Sequence, residues 1–389
     1  MMDPALSDWG LYIHIPFCQA RCTYCDFNTI TGMGEDDYRR YVSALIKEWD
    51  QQIEIPAGNL VSIFLGGGTP SLLEPALVAS ILEAVAKRLP HTGQSIEITM
   101  EANPGTVNVK RLRQYRMAGV NRLSLGVQAW QNHHLQQLNR IHTAQDARIA
   151  MESAREAGFE NVNCDLIYGL PQQSLAEWQE SLEAVLALKP DHLSLYQLQI
   201  EEGTPLATQL KRGLLSLPAT DLTADMADIG RMTLLRAGFM PYEISNYCLP
   251  GKHSRHNRLY WTMNPYLALG AGAHGYWHGR RWWNIRGIRR YMEAIEAGEN
   301  VKAGEEWLDR QEEMREYVWL GLREEGGFSR TRFHHKFGVN PEGLLGSIFR
   351  RLHNQGLIER DKDRIRLTSR GRDMANYVFR EFVGTDQYA

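Results

Sequence analysis

Apolar runs and amphipathic stretches alternate along the first 240 residues of this 389-residue chain. Runs rich in β-branched and aromatic residues predict six strands, at 11–15, 61–65, 95–100, 122–127, 162–168 and 192–200. Apolar residues at helical spacing predict helices at 37–52, 75–89, 109–118, 144–157, 175–188 and 221–237. Three of these helices are followed by Gly119, Gly158 or Gly238, a residue type that ends helices in the left-handed conformation. The pattern predicts an α/β fold, a partial (β/α)6 barrel with its chemistry at the carboxyl ends of the strands.

The rhythm changes after residue 240. Residues 241–308 are rich in glycine and aromatic residues and carry no βα unit. Residues 309–389 predict three helices, a hairpin around a charged turn at 356–367, and a further helix from Thr368. This order resembles a winged helix. We therefore predict a barrel at 1–240, an extension at 241–308 and a winged-helix-like domain at 309–389.

Composition narrows the class of protein. The chain is 43% hydrophobic and 23% charged, with a net charge of −3, which favours neither bulk nucleic-acid attraction nor a polybasic membrane anchor. No apolar run approaches the ~20 residues that span a bilayer, and we expect no signal peptide. Five cysteines, three of them clustered, indicate a reducing compartment, so the cytoplasm is the predicted location. Cys164 and Cys248 are interpreted as packing residues.

Cys18, Cys22 and Cys25 lie within eight residues, directly after the first predicted strand. Such a density of thiolates favours an iron–sulfur cluster. Three thiolates would leave one iron of a cubane cluster open to a small ligand, since Phe27 stands where a further thiolate could fall. The alternatives are buried cysteines or a Cys3His zinc site completed by His14. Aromatic residues around the thiols, Phe17, Tyr24 and Phe27, are expected to shield a cluster from water.

A glycine-rich loop, Gly66–Gly68 followed by Thr69 and Pro70, comes directly after the second strand. Three glycines allow the backbone to approach a ligand without side-chain obstruction. No Gly-Lys-Ser/Thr sequence follows, so a nucleoside triphosphate is not expected. The alternative interpretation is an ordinary tight turn between strand and helix.

Polar residues mark the ends of the later strands. Glu101 follows the third strand, Gln128 ends the fourth, and Arg140 comes a dozen residues later. Asp165 lies within the fifth strand, where a carboxylate is costly unless it is paired or faces a ligand. Each of them could be a solvated surface group or half of an ion pair. Together they predict a polar rim suited to an amino-acid nucleoside.

These motifs closely resemble those of the radical S-adenosylmethionine (SAM) superfamily, whose signature is C-x3-C-x2-C followed by a glycine-rich loop. The set narrows to the oxygen-independent coproporphyrinogen III oxidase group: Tyr-x-His-Ile-Pro-Phe-Cys, Gly-Gly-Gly-Thr-Pro, Glu-x-Asn-Pro, Gly-Val-Gln and Asp-Leu-Ile-Tyr-Gly-Leu-Pro. The resemblance implies a 4Fe–4S cluster on the three cysteines, with SAM on the open iron. It further implies SAM contacts from Tyr12, Tyr24, Gly68, Thr69, Glu101, Gln128, Arg140 and Asp165.

Two departures separate the chain from the oxidase itself. Phe27 replaces a further cysteine of the oxidase, and only 11 residues precede Tyr12 where the oxidase has a long segment. Both argue against porphyrinogen decarboxylation. His256, in His-Asn-Arg-Leu-Tyr-Trp, instead matches the H-N-x-x-Y-W motif of HemW-type haem chaperones, so the resemblance implies a haem ligand there. The alternative interpretation is a polar turn anchored by core aromatics. His274 is a second candidate ligand, although a core position beside a tight turn explains it too.

The leading hypothesis is a haem chaperone that uses a SAM-chelating cluster. Its predicted partners are haem and an unidentified acceptor protein, with membrane-associated acceptors among the candidates. The alternative hypothesis is an oxygen-independent coproporphyrinogen III oxidase. A third is nucleic-acid modification, suggested by the wing-like tail, but the excess of basic residues there is too slight to predict a nucleic-acid partner.

Overall fold

The computed structural model describes residues 8–52, 54–89 and 95–383. The first residues of the predicted barrel region and the last residues of the winged-helix-like region lie outside these ranges. None of the helices in the described ranges combines the length and the apolar character needed to cross a bilayer.

Six strands pair in sequence order, each parallel to the next, and form the predicted partial barrel. The strands are β1 (Trp9–Ile15), β2 (Leu60–Gly67), β3 (Glu97–Ala102), β4 (Arg122–Gln128), β5 (Val162–Tyr168) and β6 (His192–Gln197). The helices are α1 (Glu35–Gln51), α2 (Pro75–Arg88), α3 (Val109–Met117), α4 (Asn132–Gln137), α5 (Ala144–Glu156), α6 (Leu175–Ala187), α7 (Pro205–Lys211) and α8 (Thr220–Arg236). The α/β prediction is confirmed, while α4 and α7 are additional short helices.

Local sequence signals explain where the barrel helices begin and end. Thr143 and Ser174 cap α5 and α6, and each accepts a hydrogen bond from the backbone of the third helical residue. Gly119, Gly158 and Gly238 have φ angles of 113°, 87° and 85°, in the region that favours glycine. The predicted left-handed helix endings are therefore confirmed.

The extension lengthens the barrel sheet at both edges. On one side β8 (Asn246–Cys248) pairs antiparallel with β6 and with β7 (Met240–Pro241). On the other side β9 (Tyr266–Leu269) pairs parallel with β1. The remaining elements are α9 (Arg255–Trp261), β10 (His274–Trp277), β11 (Arg280–Asn284), α10 (Ile288–Ala297) and β12 (Lys302–Trp307). Because one hydrophobic core includes residues from Trp9 to Val301, the extension folds as part of the barrel sheet.

The C-terminal part has a hydrophobic core of its own, between Met314 and Phe382. A three-stranded antiparallel sheet packs with the helices, and Thr368 caps the helix after the hairpin, as predicted. The elements are α11 (Arg310–Gly321), β13 (Phe328–Ser329), α12 (Arg330–Phe337), α13 (Pro341–Asn354), β14 (Ile358–Arg360), β15 (Arg364–Leu367), α14 (Ser369–Asp373) and α15 (Ala375–Arg380). The winged-helix-like prediction is confirmed, with β13 and α15 as additions.

Candidate functional site

The three clustered cysteines line one cavity of about 510 Å³ at the carboxyl ends of the barrel strands. All three are free thiols and partly buried. Burial raises the pKa of the Cys18 thiol, which also accepts a hydrogen bond from Thr69 Oγ1 at 3.7 Å. Burial likewise raises the pKa of Cys25 to about 11. Because these thiols favour the protonated form, a bound metal would have to supply the charge that stabilises the thiolates.

The same cavity brings together most of the predicted SAM residues. Its walls include Tyr24, Gly68, Thr69, Glu101, Gln128, Arg140 and Asp165. Of the described residues that line it, none is a histidine, and there is no fourth cysteine. The donor set therefore fits a cluster that is held by three thiolates and has one iron open. Two residues that were predicted to bind cofactors, Tyr12 and His256, do not line this cavity.

The triglycine loop supports the cysteine loop by direct backbone contact. Gly68 N–H donates to the Ile15 carbonyl at 2.8 Å, and Thr69 N–H donates to the Phe17 carbonyl at 2.7 Å. A Cβ on Gly68 would lie 2.7 Å from the Phe17 oxygen. The glycine is thus required by the close approach of two loops. The tight-turn interpretation therefore explains why Gly68 is a glycine. Gly67 and Gly68 also line the cavity, which is consistent with the ligand-binding interpretation.

Two carboxyl groups face the cavity in an enclosed setting. Burial raises the pKa of Glu101 to about 7; the Gly67 N–H, 2.9 Å from Glu101 Oε2, opposes this shift, and the Asp165 charge adds to it. Burial also raises the pKa of Asp165, whose oxygens accept from Ser124 Oγ at 2.9 Å and Asn163 Nδ2 at 2.8 Å. Ionisation of both carboxyl groups in this buried setting costs free energy. A ligand with a positive charge or with hydroxyl groups would offset that cost by donating hydrogen bonds to them.

Arg140 and Gln128 bring a guanidinium and an amide to the same wall. Arg140 Nη1 lies 3.4 Å from Cys22 Sγ, and its Nη2 donates to the Gly126 carbonyl at 2.7 Å. Gln128 has a φ of 67°, at an irregularity in the pairing of β4 with β5. Residues other than glycine rarely adopt this backbone conformation, and where they do, it is typical of functional sites. A Cβ on Gly126 would lie 2.8 Å from the Gln128 amide nitrogen, so the glycine makes room for that side chain.

Tyr12 and His14 lie beneath the cavity, inside the barrel. The Tyr12 hydroxyl is 3.0 Å from His14 Nδ1, and His14 Nε2 is 2.8 Å from the Asn28 carbonyl. Because both ring nitrogens of His14 are engaged and its ring does not line the cavity, it is not placed to complete a Cys3His zinc site. Tyr12 does not line the cavity, so a SAM contact from Tyr12 would require its side chain to move toward the cavity.

His256 is on the inner face of α9, the face that packs against β2, and it lies away from the cysteine loop. It is 1% exposed, and its ring stacks on Phe64 with 5.1 Å between centroids. Nδ1 lies 2.9 Å from Ser62 Oγ, and Nε2 lies 2.9 Å from the Tyr260 hydroxyl. Burial and the nearby Arg122 charge lower the pKa of His256 to about 3. As placed here it cannot bind haem iron without losing one of these hydrogen bonds. His274, the second candidate, is an exposed residue of β10 that stacks on Trp283.

The aromatic residues near the thiols divide into three environments. Phe17 is fully buried and packs on Tyr38 with 4.4 Å between ring centroids. Tyr24 covers one wall of the cavity, whereas Phe27 is 60% exposed at its mouth. Phe17 belongs to the core and does not line the cavity, so the expectation that it shields a cluster is wrong, whereas Tyr24 and Phe27 both line the cavity.

The sequence pattern did not single out several residues of the site. Tyr196, at the end of β6, lines the cavity, and Ser124 on β4 both lines it and holds Asp165. Asn163 donates to the other oxygen of Asp165. Tyr196 carried no strand-end signal, because the predicted strand runs to residue 200 whereas β6 ends at Gln197. Ser124 and Asn163 are paired across β4 and β5, a relationship that only the sheet register reveals.

A parallel partial barrel with three thiols and a polar rim at its carboxyl edge defines a protein class that holds an iron–sulfur cluster and a nucleoside together. Comparisons with known proteins agree. A family model described as "Radical SAM superfamily" matches residues 12–185, and "HemN C-terminal domain" matches residues 308–374. The solved structure of Escherichia coli coproporphyrinogen III oxidase (HemN) has a TM-score of 0.84 at 23% identity, covering 99% of this chain and 91% of that chain. At this identity the likeness shows the fold.

Similarity to curated sequences covers almost the whole chain. The "Heme chaperone HemW" of Lactococcus lactis is 37% identical over 375 residues, which is 96% of this chain and 97% of the relative. The "Heme chaperone HemW" of Bacillus subtilis is 36% identical, covering 96% and 98% respectively. The chain therefore belongs to the HemW family of the radical SAM superfamily. Membership of the superfamily implies a 4Fe–4S cluster and SAM.

Proposed function

We propose that the protein holds a 4Fe–4S cluster on Cys18, Cys22 and Cys25, binds SAM beside it, and binds haem for delivery to an acceptor protein. The observation that carries this proposal is the near full-length similarity to relatives named as haem chaperones. The shared cavity of the three thiols supports the cofactor part of the proposal.

The cavity residues suit the polar groups of SAM. When bound, the cluster and SAM together supply one-electron chemistry. Arg140, 3.4 Å from Cys22 Sγ, offsets negative charge on the thiolates. Glu101 and Asp165 accept hydrogen bonds from ribose hydroxyls or from the amino group, and the Gln128 amide can both donate and accept. Tyr24, Gly68 and Thr69 complete the proposed SAM contacts within the cavity, and Tyr12 would join them by moving its side chain toward the cavity.

The outer face of α9 supports haem binding. A cavity of about 600 Å³ lies between α9 and the C-terminal domain, and Arg255, Arg258, Trp261 and His253 line it. The two guanidinium groups match the carboxylates of haem propionates, and the indole can pack on a porphyrin ring. His256 is the proposed iron ligand, and this role requires its ring to give up the hydrogen bond to Ser62 or the one to Tyr260 and to turn from the inner face of α9 toward the cavity.

The cofactor part is tested by anaerobic reconstitution. Wild-type protein should take up about four irons and four sulfides per chain, and SAM should change the electron paramagnetic resonance spectrum of the reduced cluster. Cys22→Ser should not assemble the cluster, whereas Cys248→Ala, a control outside the cavity, should assemble it normally. A complete cluster in Cys22→Ser would contradict the proposed ligation.

The haem part is tested by absorbance titration with haem, after circular dichroism has verified that each variant is folded. Wild-type protein should bind about one haem per chain. Loss of binding in His256→Ala alone supports the proposed ligand, and loss in His253→Ala alone moves the iron ligand to the cavity face. Unchanged binding in both variants contradicts a haem site at α9. Anaerobic turnover of coproporphyrinogen to protoporphyrinogen would instead assign the oxidase activity.

The partner and the location follow from the same proposal. Haem delivery requires an acceptor protein, and crosslinking of haem-loaded protein in cells is the direct way to identify it. We propose a cytoplasmic location because all five cysteines are free and three of them must remain available to iron. Cell fractionation tests this, and recovery from an oxidising compartment would contradict it.

A further inference from the structure

A second group of metal-binding side chains lies outside the cysteine cavity, where α4 meets α6. His133 and His134 are consecutive residues of α4, and Glu177 is in the first turn of α6. Nε2 of His133 lies 3.1 Å from Glu177 Oε1, and Nε2 of His134 lies 3.7 Å from the same oxygen. The three ligand atoms are all within 4.8 Å of one another. Two imidazoles and one carboxylate thus converge on a single point.

The spacing of these atoms matches a small divalent cation. Ligand distances of about 2.0–2.1 Å around tetrahedral zinc place neighbouring ligand atoms about 3.3 Å apart. The observed 3.1 and 3.7 Å lie on either side of this value, and all three atoms are within 4.8 Å of one another, so the side chains are already close to the spacing that an ion requires. Two nitrogens and one oxygen form a donor set that zinc accepts readily.

His134 provides an independent sign that something is bound here. Its side chain is 2% exposed, and neither ring nitrogen has a hydrogen-bond partner among the residues that the structure describes. A separation of 3.7 Å from the Glu177 oxygen is too long for a hydrogen bond. Buried polar groups are nearly always paired, so a cation at Nε2 would supply the missing partner.

Glu177 is held in the orientation that a metal ligand needs. Its Oε2 accepts hydrogen bonds from Ser174 N–H at 2.8 Å and from Ser174 Oγ at 2.7 Å. This capping box fixes the carboxylate and leaves Oε1 directed toward the two histidines. Hydrogen bonds of this kind orient the ligands of known metal sites.

We propose that His133, His134 and Glu177 form a binding site for a divalent transition-metal cation, with zinc as the best match. Three protein ligands leave a coordination position that water can fill, because the His133 side chain is 63% exposed. The site is separate from the cysteines but connected to them. At the end of α4, the Gln137 carbonyl accepts from Thr23 Oγ1 and the Leu138 carbonyl accepts from Thr23 N–H, both at 3.1 Å. Metal binding would therefore anchor the helix that supports the cysteine loop.

The test uses untagged, full-length protein with its cluster reconstituted, so that the cysteine thiolates are already occupied. Cobalt(II) is the spectroscopic probe. We expect about one cobalt per chain by metal analysis, because the thiolate absorption of the cluster itself covers the near ultraviolet and much of the visible region. Zinc should displace the cobalt and raise the melting temperature. A triple Cys18→Ser, Cys22→Ser, Cys25→Ser variant, which cannot hold the cluster, should bind one cobalt with visible ligand-field bands and no thiolate charge-transfer band.

Substitutions then locate the ion. His133→Ala and Glu177→Gln should each weaken cobalt binding at least tenfold, in line with the loss of one ligand. His133 is exposed, so its replacement leaves the fold intact. Glu180 is on the same helix as Glu177, and its carboxylate accepts a hydrogen bond from Gln131. The control variant Glu180→Gln should therefore bind cobalt like the wild type. The proposal is overturned if the cluster-loaded protein binds no cobalt, if the triple-serine variant shows no ligand-field bands with cobalt, or if His133→Ala binds cobalt unchanged.

Discussion

Replacement of Gly68 with alanine tests whether the triglycine loop positions the cysteine loop by direct backbone contact. The added Cβ would lie 2.7 Å from the Phe17 carbonyl oxygen, 2.8 Å from the Pro16 carbonyl carbon and 2.9 Å from the Ile15 oxygen. All three are backbone atoms of the segment that leads into Cys18. Because backbone atoms cannot rotate away as a side chain can, one of the two loops must move.

The cost of this movement has two parts. Overpacking in a well-packed region costs about 1–3 kcal/mol. Separation of the loops also weakens the hydrogen bonds that Gly68 and Thr69 donate to Ile15 and Phe17, each worth about 1 kcal/mol. We expect a loss of about 2–4 kcal/mol in the free energy of unfolding. Since the movement displaces Cys18 relative to the other two thiols, cluster assembly should fall as well.

The assay has two readouts and a matched control. Urea unfolding of the cluster-free protein gives the free energy, and iron and sulfide content after anaerobic reconstitution reports the cluster. Gly343 is an exposed glycine of α13 whose Cβ position has no neighbour within 4 Å. Gly343→Ala should stabilise the protein by about 0.4–1 kcal/mol and leave iron content unchanged. If Gly68→Ala unfolds at the wild-type urea concentration and binds iron normally, the backbone contact does not position the thiols.

Three further predictions concern other parts of the molecule. Burial raises the pKa of Glu101 from 4.5 to about 7, so its contribution to stability is complete below pH 4.5 and is lost progressively as pH rises from there through 7. Between about pH 5 and 8, cluster-free wild type should lose about 2–3 kcal/mol more than Glu101→Gln in urea unfolding, and equal losses would contradict the raised pKa. His256→Ala should cost on the order of 3 kcal/mol because it leaves Ser62 and Tyr260 unpaired in the core, measured by thermal melting against the wild type. Ser174→Ala removes the α6 cap and should cost about 1 kcal/mol by urea unfolding; no change would show that the cap is dispensable.

Much of the fold was predictable because the barrel repeats one unit. Each strand is an apolar run and each helix has a single apolar face, so period alone separates them. The prediction failed where elements are short or two-sided. Helix α4 has six residues, of which Leu135 is the one large apolar side chain, and this is too few to show a helical period. Strand β11 begins with two arginines and two tryptophans that are all partly buried, and it ends with the buried Asn284. Buried and exposed residues therefore do not alternate along it.

The cysteine cavity was predictable to the extent that its residues occupy strand ends. Parallel strands bring their carboxyl ends to one edge, so Glu101 and Gln128 could be assigned to a common rim without coordinates. The groups that tune this rim could not be assigned. Ser124 reaches Asp165 because β4 and β5 pair in one particular register, and a sequence does not display the register between strands. Asn163 is two residues from Asp165 on the same strand, so the two side chains share a face, but the sequence alone does not show that they bond to each other.

The H-N-x-x-Y-W segment shows a further limit, because a short helix can present the same residues in two ways. His256 and Tyr260 are four residues apart, so they share the inner face of α9 and hydrogen-bond to each other at 2.9 Å. Arg258 and Trp261 line the cavity on the other side. One half of the motif therefore fixes the helix to the barrel, while the other half is presented to the space beneath the C-terminal domain. Ligand binding at the cavity would therefore require the whole motif, even if only the cavity-facing residues contact the ligand. Loss of the inner-face residues would release α9 from the barrel, and with it the residues that line the cavity.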